Sequence, residues 1–177
     1  MGKVLFLTLI SSILINCSVK KNEVGKTLSE QEKNIVQECP NGGECSIKYL
    51  ANKSIKIDKD NTNKIYYNLV DNLEKSVVRF EFKKNNPSGM AEANYIEEIV
   101  LEVQNSAQET NLSDEFLEKA KVLFGKYCYC KGQAGVYLIQ TGSLKIKQDR
   151  EEISIELNFD MSPITHKVSK IKYLIKK

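Results

Sequence analysis

"EEISIELNFD", residues 151–160, decides the fold of this chain. Ile153, Ile155, Leu157 and Phe159 alternate without a break with Ser154, Glu156 and Asn158. A repeat of two sends successive side chains to opposite faces of a strand, so one face is apolar and the other meets water. The same repeat recurs in both directions along the chain. On the N-terminal side, shared faces are formed by Cys45, Ile47 and Tyr49, by Ile55 and Ile57, and by Ile65, Tyr67 and Leu69. Val78, Phe80 and Phe82 follow, then Ile99, Leu101 and Val103, with "NNPSG" at 85–89 breaking the pairing between them. Closer to the opening stretch, Tyr127–Cys130, Val136–Ile139 and Leu144–Ile146 read as strands. Beyond it, "DMSP" at 160–163 turns the chain into Val168–Ile175.

One segment breaks the period. In "LSDEFLEKAKVLFGK", residues 112–126, Ser113 suits an N-cap, and Asp114 and Glu115 suit the positive end of a helix dipole. Phe116, Ala120, Leu123 and Phe124 fall on one helical face, and Gly125 supplies a left-handed stop. These signals predict an α-helix over about 113–124. The fold expected is mainly β, an antiparallel β-sandwich or up-and-down barrel of about nine or ten strands, with that helix at one edge or end. A length of 177 residues suits one such domain, assigned to residues 39–177.

The formal charge is only +3, and Lys and Glu are interspersed along the chain, so no nucleic-acid footprint is present. Nucleotide binding is also excluded. "VGKT" at 24–27 lacks the glycine that a phosphate loop needs five residues before its Gly-Lys pair, where Lys20 stands.

The N-terminus reads "MGKVLFLTLISSILIN", with Lys3 followed by twelve uncharged residues, Val4 to Ile15. That run is short of the roughly 20 residues a spanning helix needs and has the shape of a secretory signal peptide. Residues 1–16 are therefore expected to be removed. The run ends in Leu14-Ile15-Asn16-Cys17, which resembles the lipobox of bacterial lipoproteins, although Asn16 replaces the usual Gly, Ala or Ser. The resemblance implies that the Cys17 thiol receives a diacylglycerol and that the chain is cut before it. The new amino group would then be acylated, with a palmitate-type chain. Two or three acyl chains anchor stably where one does not. Ser18 stands where an Asp would signal inner-membrane retention in some of these proteins, which implies the outer membrane. The N-myristoylation motif is ruled out by Phe6. Residues 17–38, polar and without period, read as the lipidated start and a solvated tether reaching roughly 25 Å.

Five cysteines are an odd number for an exported chain. With Cys17 lipidated, Cys39, Cys45, Cys128 and Cys130 remain to form disulfides in an oxidising compartment. Residues two apart in a strand hold their Cβ atoms about 6–7 Å apart, too far for a direct bond. The expectation is therefore two long-range bridges joining Cys39 and Cys45 to Cys128 and Cys130. The rivals are local Cys39–Cys45 and Cys128–Cys130 pairs, the latter redox-active, or a zinc site, for which C-x5-C with C-x-C is not a usual spacing. The segments "CPNGGEC" and "FGKYCYCKGQAGVY" are similar to those of small bacterial envelope lipoproteins, a resemblance that implies no activity.

No catalytic constellation is visible, and neither a cofactor nor a metal is implied. His166 is the only histidine and reads as a surface residue beside a turn. Glu97 and Glu98 point to opposite faces of a strand and do not converge on one bond. Asp149, Glu151 and Glu152 solvate a turn. The candidate binding surface is the loop "KGQAG" at 131–135, where Lys131 and Gln133 offer polar groups beside Tyr127 and Tyr129. Four functions compete. The first is a non-catalytic lipoprotein, anchored to the membrane through Cys17, that binds or scaffolds another envelope protein. The second is a lipocalin-like carrier, which requires a hollow barrel. The third resembles barrel-type lysozyme-inhibitor lipoproteins and inserts a loop into a wall-degrading enzyme. The fourth is a thiol-redox protein using Cys128 and Cys130.

Overall fold

In the computed structural model of the chain, which describes residues 35–36 and 39–177, the alternating stripe at 153–159 becomes the middle strand of a five-stranded sheet. In chain order the strands are β1 (Ile35–Val36), β2 (Gly43–Leu50), β3 (Lys53–Lys59), β4 (Ile65–Asp71), β5 (Lys75–Lys84) and β6 (Tyr95–Gln104). They continue with β7 (Gln108–Ser113), β8 (Leu123–Cys128), β9 (Gly135–Leu138), β10 (Gly142–Gln148), β11 (Glu152–Phe159) and β12 (Lys170–Lys176). One sheet runs β1-β12-β11-β10-β7 and the other β2-β5-β6-β8-β9-β4-β3, all pairs antiparallel. The two sheets stay separate and keep their edges, so the architecture is a sandwich and not a closed barrel. The expectations for the signal peptide, Cys17 and the tether fall outside the described residues, except that Ile35 and Val36 pair with Leu174 and Tyr173. The domain thus begins earlier than residue 39.

The apolar stripes meet between the sheets. Val78, Phe80 and Phe82 of β5, Ile99, Leu101 and Val103 of β6, and Phe124 of β8 pack on Leu144 and Ile146 of β10, on the β11 stripe, and on Ile171, Tyr173 and Ile175 of β12. Strand β7, "QETNLS", has no apolar stripe to betray it, and its polar sequence suits the edge of a sheet.

Strand β6 is buried on both faces. Its outer face carries Glu98, Val100 and Glu102 and lies beneath the β3–β4 hairpin. That hairpin joins the rest of its sheet through the single pair Ile65–Val136 and folds back over it. A second apolar cluster forms there, with Ile55, Val77, Val100 and Leu123 at its centre and Ile57, Tyr67 and Leu69 around them. Glu102 pins the hairpin. Its carboxylate accepts the Ile55 N–H at 2.7 Å, the Ser54 hydroxyl, Lys75 Nζ at 2.6 Å and Lys121 Nζ at 2.9 Å. Lys121 also donates to the Ile55 carbonyl, so both edge-facing backbone groups of Ile55 are satisfied by side chains. Burial pushes the Glu102 carboxyl up, but the donors from Lys75, Ser54, Lys121 and Ile55 outweigh it and hold the group down at about 2.

Two expectations are corrected. The segment expected as an α-helix over 113–124 is a 3-10 helix, Asp114–Ala120. Ser113 is spent on β7, where it pairs with Ser143, and makes no side-chain cap. The stop is Lys121, at φ 46°, and not Gly125. Leu123, Phe124 and Gly125 belong to β8, and Leu117 and Ala120, not Phe116, turn inward. Burying Leu123 and Phe124 in β8 overrides local helix propensity. The long-range disulfides do not form either. Strands β2 and β8 are separated by β5 and β6, three steps of about 4.8 Å, beyond the span of a disulfide. The bonds are Cys39–Cys45, with Cα atoms 5.8 Å apart, and Cys128–Cys130, with Cα atoms 5.3 Å apart. The second is possible because β8 ends at Cys128 and the chain bends at Tyr129, so the strand spacing no longer applies.

Two outcomes follow. In a non-reducing tryptic map, peptides 34–48 and 127–131 each appear alone and two hydrogens light. A cross-linked pair of these peptides contradicts the local bonds. The Glu102 carboxyl lies below its ordinary 4.5, so its contribution is complete above about pH 4.5 and is lost as the pH falls towards 2. Denaturant unfolding of wild type and Glu102→Gln is expected to differ by about 3 kcal/mol at pH 6 and to converge near pH 2. A gap that stays constant with pH contradicts the assignment.

Candidate functional site

The β8–β9 connection is a tip held from two sides. Strand β8 ends at Cys128, the Gln133 N–H closes a turn onto the Cys130 carbonyl at 3.2 Å, and Gly132 takes a left-handed φ of 74° at its centre. The Cys128–Cys130 bond clips the base of the tip.

The outer anchor is Glu98. Gly125 has no side chain, and the Tyr127 ring lies over it; a Cβ there would be 2.9 Å from the ring. This route brings the Tyr127 hydroxyl to the Glu98 carboxylate at 3.0 Å. The Tyr67 hydroxyl donates to the same oxygen at 2.8 Å and accepts from Arg79 Nη2 at 3.2 Å. Arg79 Nε stands 3.2 Å from the other Glu98 oxygen, close enough for ion pairing but out of line for a hydrogen bond. Burial, then the Glu98 charge, push the Tyr67 hydroxyl up to about 12 and raise that of Tyr127 further. Both phenols therefore remain donors at any physiological pH.

The inner anchor is Lys126. Its buried ammonium donates to Gln133 Oε1 at 2.7 Å and to Thr165 Oγ1 at 2.9 Å, and also to the Thr165 carbonyl. Burial lowers the pKa of this amine, and the nearby Glu97 carboxylate partly restores it. Glu97, fully buried, accepts the N–H groups of Lys167 and Val168 at 2.6 and 2.7 Å and the Tyr95 hydroxyl. Gln133 accepts a further bond from Thr165 Oγ1 at 2.6 Å, and its carbonyl takes the Tyr137 hydroxyl at 3.0 Å. The tip is thereby joined to residues 165–168 of the opposite sheet's β11–β12 connection.

The four residues expected to form the surface divide into two roles. Tyr129, 87% exposed, and Lys131 point outward from the tip. Tyr127 keeps 42% of its surface exposed while its hydroxyl is bound, and Gln133 is turned inward. His166 is half-buried, not on the open surface; its ring stacks on Phe159 at 5.7 Å and meets Phe124 edge-on at 6.1 Å.

Sequence reasoning placed Glu97 and Glu98 on opposite faces correctly and missed that both are buried anchors. The available signal was a carboxylate in register with Ile99, Leu101 and Val103, and a lysine at 126 in register with Phe124. A charge inside an apolar stripe needs a partner. The arrangement brings no nucleophile beside a base. It presents an aromatic ring and a cation on a rigid support, a combination suited to recognition. No family model matches the chain, and no curated protein and no solved structure matches it.

Lys126→Met removes the donor that holds Gln133. Hydrogen bonds from charged groups contribute about 1.5–3 kcal/mol, so amide exchange at 130–134 is expected to quicken about tenfold or more, with β11 unchanged. Unchanged exchange at the tip contradicts the anchoring role.

Proposed function

We propose that this chain is a non-catalytic lipoprotein of the bacterial cell envelope, anchored by acyl chains on Cys17 at the outer membrane, that binds another envelope protein through the β8–β9 tip. Its N-terminal reading rests on Lys3, the uncharged run Val4–Ile15 and the lipobox-like Leu14-Ile15-Asn16-Cys17. A second support is independent of those residues: Cys39, Cys45, Cys128 and Cys130 pair with one another, which leaves Cys17 as the odd thiol.

The observation that carries the binding role is Tyr129, a nearly fully exposed aromatic ring on a support clipped by a disulfide and anchored by the buried Glu98 and Lys126. A large apolar ring facing water on a rigid tip gains most by burial in a partner, and little ordering entropy opposes its docking. The interior between the sheets is filled by phenylalanine, isoleucine and leucine side chains, which speaks against a hollow carrier. Insertion of the same tip into the cleft of a wall-degrading enzyme is the narrower form of this reading.

Two measurements test it. Metabolic labelling with an alkyne palmitate is expected to tag wild type and to miss Cys17→Ser, which leaves the membrane fraction. A free Cys17 thiol on uncut chain would overturn the anchor. A photo-crosslinker placed at Tyr129 in cells is expected to give a discrete adduct that a crosslinker at Leu73, an 83% exposed residue of the β4–β5 turn, does not give. No adduct at Tyr129, or the same adduct at Leu73, overturns the binding role.

A further inference from the structure

The last strand of a sheet offers one side of its backbone to whatever lies next to it, and folds keep such edges short, polar or capped. Three of the four edges here follow that rule. Strand β1 has two residues, and β7 is polar. At β3 the edge-facing N–H and C=O of Ile55 are taken by Glu102 and Lys121. Strand β2 is the exception. It runs eight residues in unbroken register with β5, with no proline and no bulge. Among the described residues no strand pairs with its other side, and β1 pairs with β12 instead.

The Asn85 N–H bonds to the Gly42 carbonyl at 2.9 Å, in step with the β2–β5 ladder. Backbone groups alternate sides along an antiparallel strand. Glu44, Ser46 and Lys48 therefore direct theirs to β5, and Gly43, Cys45, Ile47 and Tyr49 direct theirs away from it. The side chains of Cys45, Ile47 and Tyr49 lie half-buried against the core, so the Cys39–Cys45 bond is on that inner face. Glu44, Ser46 and Lys48 are exposed on the outer face. Lys48 stands opposite Arg79 of β5, a like charge, and has no carboxylate partner among the described residues.

We propose that β2 pairs with β2 of a second copy of this chain, antiparallel, about a two-fold axis through Ser46, so that two seven-stranded sheets become one continuous sheet. In this register Cys45 and Ile47 of each copy exchange backbone hydrogen bonds with Ile47 and Cys45 of the other, and Gly43 faces Tyr49. On the outer face Glu44 meets Lys48 twice, which gives Lys48 its carboxylate. Either neighbouring register that keeps the faces matched sets Glu44 opposite Ser46 or Leu50, so charge selects this one. The occupant must bring an extended backbone with an anion and a cation four residues apart, and β2 itself meets that description. The pairing inverts the second copy and leaves the two β8–β9 tips at opposite ends. Neither the tip nor Cys17 takes part in it.

The test is cysteine trapping in cells that express the full chain, by mild oxidation and a non-reducing gel. Ser46→Cys is an exposed change at the axis, where the facing Cα atoms of a non-hydrogen-bonded pair stand about 4.5 Å apart, within reach of a disulfide. It is expected to give a covalent dimer of the chain. The two copies of Lys48→Cys stand four residues out of register, about 13 Å apart, and are expected to give no more dimer than wild type. In the Ser46→Cys background, Glu44→Lys sets like charges opposite each other and is expected to lower the yield about fivefold, and adding Lys48→Glu is expected to restore it. No dimer from Ser46→Cys, equal dimer from Lys48→Cys, an adduct with a different protein only, or no recovery in the charge swap each overturns the pairing.

Discussion

The structure depends on satisfying charge in a strand that has no face left for water. Strand β6 lies between the sandwich core and the β3–β4 hairpin, so every side chain it carries is removed from solvent or nearly so. A buried carboxylate is tolerable only with its oxygens saturated. Glu102 meets that condition with Ser54, the Ile55 amide, Lys75 and Lys121, drawn from β3, β5 and the end of the 3-10 helix. The apolar contacts of Val77, Val100 and Leu123 under the hairpin set where it lies in a general way. The carboxylate sets its register, because only one residue of β3 can deliver its N–H to Glu102 and its carbonyl to Lys121.

The same principle, repeated on the N-terminal half of β6, produces the candidate site. Glu98 faces out and gathers Tyr67, Tyr127 and Arg79. Glu97 faces in and gathers Tyr95 and the amides of Lys167 and Val168, beside Lys126. The two carboxylates are adjacent in sequence and act on opposite faces of one sheet: Glu98 holds the tip from outside through Tyr127, and Glu97 fixes residues 167–168 beside Lys126, which holds the tip from inside. Recognition surfaces gain from such preorganisation, since ordering a free loop at the moment of binding costs affinity. Lys126 and Thr165, which meet Gln133 from inside, therefore fix the tip as much as Glu98 does from outside.

Legibility along the chain followed the physics of each segment. The strands with an apolar stripe were readable, because alternation is local and burial rewards it. Strand β7 was not readable, because an edge strand can be polar on both faces. The helix was located but misjudged in type: Ser113, Asp114 and Glu115 describe a helix start, yet β7 claims Ser113 and β8 claims Leu123 and Phe124. Asp114, expected to face the helix dipole, accepts the Gly142 N–H at 3.0 Å. Of the surface residues, Tyr129 and Lys131 stand out on the tip, whereas the inward turn of Gln133 depends on Lys126 and Thr165, the latter distant in sequence.

The amino-acid sequence by itself determined that this is a β-rich chain with antiparallel neighbours, because a period of two admits no other burial of its apolar residues. It also placed Glu97 and Glu98 on opposite faces. Only the tertiary structure decided which cysteines pair, since that turns on the two strands inserted between β2 and β8 and on the bend at Tyr129. It also decided that the sheets remain a sandwich and that a hairpin covers β6. Strand order is set by contacts between residues far apart in the chain, and no local pattern records them.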